Sequence, residues 1–86
     1  MQEISNTQFF KVQKEPELKV DDIISSVYSA LTEKGYDPVN RIVGYIMSGD
    51  PTYITSHKGA RSLIMKAERD EILEELLRNY INTRLK

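Results

Sequence analysis

The chain has 86 residues, with 12 Lys/Arg against 13 Asp/Glu, a formal net charge of −1, one histidine and no cysteine. That length is one domain; the missing thiols exclude disulfides and thiolate metal sites and make a reducing compartment the default, and the faintly acidic balance argues against a general nucleic-acid binder. No apolar run reaches the roughly 18 residues of a membrane span, no signal-peptide pattern opens the chain, and Gln2 stands where N-myristoylation needs glycine, so a soluble, cytoplasmic protein is expected.

Residues 1–18 show no sustained period. They are polar, Pro16 interrupts any helix, and they read as a mobile N-terminal tail. Ile4, Val12 and the adjacent Phe9 and Phe10 are unusual there, because paired aromatics tend to seek a surface. Residues 19–86 form the second unit, a helical domain. Its first helix is predicted over about 20–34, with Val20, Ile23, Ile24, Val27, Tyr28 and Leu31 on one face. Asp21 and Asp22 suit the positive end of its dipole and Lys34 the negative end.

Two similar punctuation marks follow, Gly35 with Asp37-Pro38 and Gly49 with Asp50-Pro51. A glycine past a helix end supplies a left-handed residue, an Asp caps free N–H groups, and Pro fits the first helical position. Between the marks a helix over about 38–47 carries Val39, Ile42, Val43 and Ile46. Gly44 inside it costs roughly 1 kcal/mol against alanine, so another backbone is expected to pack closely there. After a single turn at 51–54, Thr55 or Ser56 caps a long helix predicted to run towards Thr83. Its stripe Ala60, Leu63, Ile64, Ala67 meets Asp70 and Glu71, then resumes as Ile72, Leu73, Leu76, Leu77, Tyr80, Ile81. The phase break predicts a bend, or two halves facing different partners. The fold class is thus all-α, a small helical bundle. Because so short a chain buries little, a homodimer is expected, with the second half of the last helix as its interface.

Charge is unevenly spread. Residues 1–37 carry four Lys/Arg and seven Asp/Glu, residues 38–69 five and two, and residues 70–86 three and four. A basic middle therefore lies between acidic ends. Its set His57, Lys58, Arg61, Lys66 and Arg69 spans about half a helix circumference and suits a phosphate or a partner's carboxylates, with arginine favoured by its planar donor fork. It reads equally as a solvated face balanced by Glu68 and the acidic ends, or as a partner-binding face that leaves the fold alone. Catalysis finds little support: His57 is the sole histidine, and Ser56 beside it does not form a nucleophile–base arrangement. Asp70, Glu71, Glu74 and Glu75 read as a solvated helix face, with no metal or cofactor implied.

The motifs Val27-Tyr28-x-Ala30-Leu31-x-Glu33-Lys34-Gly35-Tyr36-x-Pro38, Ile42-Val43-Gly44-Tyr45, Ser48-Gly49-Asp50-Pro51-x-Tyr53-Ile54, Ala60-Arg61-Ser62 and Glu68-Arg69-Asp70-Glu71-Ile72-x-Glu74-Glu75-Leu76 resemble the IreB/ReoM regulatory phosphoproteins of low-GC Gram-positive bacteria. The likeness spans about residues 27–81. It implies a small all-α homodimer whose N-terminal tail is phosphorylated on threonine by a PASTA-domain Ser/Thr kinase and reset by the cognate phosphatase. It further implies control of peptidoglycan synthesis and cell-wall antibiotic tolerance, through Clp-protease turnover of the enolpyruvyl transferase that begins the pathway. By the same resemblance Thr7, in Thr7-x-Phe9-Phe10, is the phospho-acceptor, and Arg61 and Arg69 belong to the functional basic region. Ser56 and Met65 stand where relatives carry further arginines, so the basic face is thinner here. Two other classes fit the residues: a helix-turn-helix DNA reader, built on the Ser-Gly-Asp-Pro turn and the basic helix after it, and a constitutive dimeric scaffold in which Thr7 is silent.

Overall fold

The computed structural model describes residues 18–86. The tail, Thr7, Phe9 and Phe10 lie outside the described residues. Within them the chain forms α1 (Val20–Glu33), α2 (Pro38–Ser48), a 3-10 turn at Pro51–Tyr53, a second at His57–Gly59, then α3 (Ala60–Ile64), α4 (Arg69–Tyr80) and a closing π turn at Ile81–Leu85. No strand occurs among the described residues. None of the described helices is long and apolar enough to cross a membrane.

The punctuation marks work as their chemistry requires. Asp37 accepts from the N–H groups of Val39 at 3.1 Å and Asn40 at 3.3 Å, ahead of Pro38 in the first helical position. Asp50 accepts from the backbone N–H of Thr52 at 3.0 Å and from its hydroxyl at 2.7 Å. These bonds satisfy donors that a helix start leaves unpaired. Gly49, at φ 74°, ends α2 in the left-handed region, and its N–H donates to Tyr45 O at 2.7 Å.

The helix expected to run on to Thr83 is two helices. Gly59 at φ 72° and Lys58 at φ 54° delay its start to Ala60. Around Met65 the chain turns, and Glu68 restarts it, its backbone N–H donating to the Glu71 carboxylate at 2.9 Å. The pair Glu68/Glu71 is one arm of a capping box. The phase break at Asp70 and Glu71 therefore marks the first turn of a new helix, where carboxylates belong.

The core joins α1, α3 and the start of α4: Ile23, Val27, Ala30, Leu31, Ile54, Ala60, Ile64, Ala67 and Ile72, with Ile42 and Tyr45 from α2. The predicted inward face of α2 is rotated. Ile42 and the unpredicted Tyr45 are buried, while Val39 is 72% exposed and Val43 50%. Tyr28 likewise points out of the predicted α1 stripe. On α4 only Ile72 is buried, and Leu73, Leu76, Leu77 and Tyr80 are all exposed. The apolar stripes are wider than the core they meet, which leaves two apolar surfaces that the described residues do not cover.

Gly44 is a point of close approach, though not to another backbone. The ring of Tyr53, folded back by the Asp50-Pro51 turn, lies on it. A Cβ at Gly44 would sit 2.9 Å from Tyr53 Cζ and closer still to Cδ1 and Cε1.

Candidate functional site

The five basic residues are carried by four local structures: His57 and Lys58 by the second 3-10 turn, Arg61 by α3, Lys66 by the turn after α3, and Arg69 by the start of α4. They do not form a single free face.

His57 and Lys58 close on the end of α1. His57 Nε2 lies 2.9 Å from Glu33 Oε1, and Lys58 Nζ lies 3.2 Å from the same oxygen and 3.4 Å from Oε2. The His57 hydrogen bond, with Lys58 behind it, holds the Glu33 carboxyl below the usual glutamate range. This is a surface cluster, its carboxylate side chain 46% exposed, and pairs of that kind add little stability. It pins the turn to α1 and leaves Lys58 largely solvated.

The arginines brace the segment between α2 and α3. Arg61 Nε donates to Ile54 O at 2.8 Å in a half-buried setting. Arg69 Nη1 donates to Ile46 O at 2.9 Å, and its guanidinium packs on Gly49 so closely that a Cβ there would meet Cζ at 2.9 Å. A cation on the last carbonyls of a helix also meets the negative end of its dipole. The two side chains thus hold opposite ends of residues 47–53. The expectation that these arginines leave the fold alone is corrected, since each holds a backbone carbonyl of that segment or its flank. Each uses one of its five N–H donors on a carbonyl, and the rest can meet an anion. Between them, the Asp50 carboxyl is held low, first by the Thr52 hydroxyl, then by the Thr52 N–H, with a small contribution from Arg61. Lys66 is exposed and pairs with no carboxylate among the described residues. Ser56 and Met65 are both exposed.

Two apolar surfaces accompany this basic side. One is the outer stripe of α4, where Leu73, Leu77 and Tyr80 are each more than half exposed. The other is a groove of about 520 Å³ between α1 and α2, walled by Ile24, Tyr28, Val39, Ile42 and Val43 and edged by Leu76. The sequence reading missed the groove, because it placed Tyr28, Val39 and Val43 on the same apolar stripes as residues that are buried. It also missed Glu33 as the partner of His57 and Lys58; the separation of 24 and 25 residues carries no local signal.

The comparisons agree with the motif resemblance. The chain is 73% identical over 86 residues to a UPF0297 protein of Lachnoclostridium phytofermentans, covering all of this chain and 98% of that one. It is 58% identical over 77 residues to a UPF0297 protein of Acetivibrio thermocellus, covering 90% and 86%. It is 55% identical over 78 residues to one of Ruminiclostridium cellulolyticum, covering 91% and 89%. The family signature described as IreB regulatory phosphoprotein matches residues 5–82. With that match running through nearly the whole chain, the protein belongs to the IreB regulatory phosphoprotein family.

Proposed function

We propose that this chain is a non-enzymatic, cytoplasmic phospho-regulator. Thr7 is its acceptor, a PASTA-domain Ser/Thr kinase and the cognate phosphatase set its state, and the unphosphorylated form promotes Clp-dependent turnover of the enolpyruvyl transferase that opens peptidoglycan synthesis. Antibiotic tolerance follows from the resulting level of that enzyme. The observation that carries this reading is the family match over residues 5–82, which includes Thr7 as well as the helical domain.

The geometry supports a binding role for the helical domain. Lys66, the spare guanidinium donors of Arg61 and Arg69, and the half-neutralised His57–Lys58 turn each offer a cationic contact suited to a partner's carboxylates or to a phosphate. The stripe of Leu73, Leu77 and Tyr80 suits self-association, as exposed apolar patches do. We assign it to the homodimer. The DNA-reader alternative has less support: α3, where a recognition helix would lie, has five residues, and its Arg61 is already bonded to Ile54 O.

The test is the half-life of the enolpyruvyl transferase in cells carrying the wild-type chain or Thr7→Ala, with the kinase present or deleted. The proposal expects fast turnover in Thr7→Ala cells whether or not the kinase is present. Turnover that still slows when the kinase is active in Thr7→Ala cells contradicts it.

A further inference from the structure

The apolar groove between α1 and α2 is left open by the described residues, and the basic residues do not account for it. We infer that it is the docking site of this chain's own Phe9-Phe10 segment.

The α1 wall of the groove begins close in sequence to where that segment joins the fold. The chain enters α1 at Val20, and Ile24, the first α1 residue that lines the groove, is one turn further on. Nine residues lie between Phe10 and Val20, and the ten steps reach up to roughly 33 Å when extended. The α1 wall from Ile24 to Ser29 is only about 7.5 Å long. The segment can therefore fold back onto any part of the groove. Closing a loop of this length costs little more than closing a shorter one, and an occupant tethered in the same chain is present at an effective millimolar concentration. A weak contact is then enough.

The chemistry also matches. The groove offers Tyr28, Ile42, Val43 and Leu76 as apolar walls, and Val39, 72% exposed, is its open lip. Asp21 lies on the same face of α1, one turn before Ile24 and Ser25. In the segment, Phe9 and Phe10 are followed directly by Lys11, so aromatic rings in the groove would bring a cation towards Asp21. A second copy of the chain could also cover an apolar groove. It would need no particular sequence upstream of Leu18, and the pairing of two aromatics with a lysine would then go unused. The docking does not depend on Thr7 being modified. One consequence does rest on the proposed function: Thr7 lies two residues from Phe9, so docking would control its presentation to the kinase.

The test uses the full chain in two variants. Val39→Glu changes an exposed side chain and should keep the helices, checked by circular dichroism. Under native conditions chymotrypsin should cut after Phe9 and Phe10 about tenfold faster in Val39→Glu than in wild type, since cleavage follows the open population. Equal rates overturn the inference. In Phe9→Ala/Phe10→Ala, the methyl resonances of Ile24, Val39, Val43 and Leu76 should shift by the same amount at low and high protein concentration. Unchanged resonances overturn it, and so do shifts that grow with concentration, which would give the groove to a second copy.

Discussion

Gly44→Ala should change sign with the residue at position 53. An alanine within an exposed helix gains about 1 kcal/mol over glycine. At Gly44 the added Cβ would sit 2.9 Å from Tyr53 Cζ and nearer still to two other ring carbons, where carbon pairs prefer roughly 3.5–4.0 Å. The ring is about a third exposed, so it can swing outward, but it then loses its packing on α2. Overpacking of this kind costs about 1–3 kcal/mol. Gly44→Ala should thus destabilise the wild type by up to about 2 kcal/mol. In a Tyr53→Ala background the obstacle is gone, and the same change should stabilise by about 1 kcal/mol. The coupling of about 1–3 kcal/mol is then the overpacking itself. Urea unfolding of the four proteins, followed by helical circular dichroism, measures it, and melting temperatures should move by about 4–8 °C per kcal/mol. If Gly44→Ala stabilises both backgrounds equally, the ring does not rest on Gly44 and the packing argument fails.

Arg69→Ala should cost about 1 kcal/mol in urea unfolding through loss of the bond to Ile46 O, whereas Lys66→Ala stays within about 0.5 kcal/mol. Equal, negligible effects would remove the structural role given to Arg69. The depressed Glu33 pKa makes its pairing with His57 and Lys58 worth stability above the unfolded glutamate value, lost as pH falls through the lower folded value. Glu33→Gln should accordingly lose stability less steeply than wild type between about pH 5 and 3; parallel pH profiles would contradict the pairing. Light scattering at micromolar concentration should give about twice 9.9 kDa for the wild type. Leu77→Asp should give the monomer mass, and an unchanged dimer would move the interface off the α4 stripe.

The helix starts were legible because their causes are local. Asp37 and Asp50 cap donors two or three residues away, and Pro38 and Pro51 sit in the first turns that follow. The break between α3 and α4 left a trace as well: Asp70 and Glu71 interrupt an apolar stripe because they open a new helix. What periodicity could not supply was the extent of the core. A stripe gives the direction of an apolar face, not how much of it meets a neighbour. Val39, Val43 and Tyr28 therefore share their stripes with buried residues and yet stand outside. The basic residues met a similar limit. Helical phase placed Arg61 and Arg69 near each other, but their backbone partners Ile54 and Ile46 lie 7 and 23 residues away and depend on the tertiary fold. For the same reason Gly44 announced a close approach without naming Tyr53 as its source.

The central claim is that this chain is a phosphorylated regulator with Thr7 as the acceptor. The most direct measurement is the intact mass of wild type and Thr7→Ala after incubation with a purified PASTA-kinase catalytic domain and ATP. The account predicts one added phosphate on the wild type and none on Thr7→Ala, with helical content the same in both. Thr7→Ala gaining one phosphate as fast as the wild type would contradict it and move the acceptor to another residue, with Ser5 the next to examine.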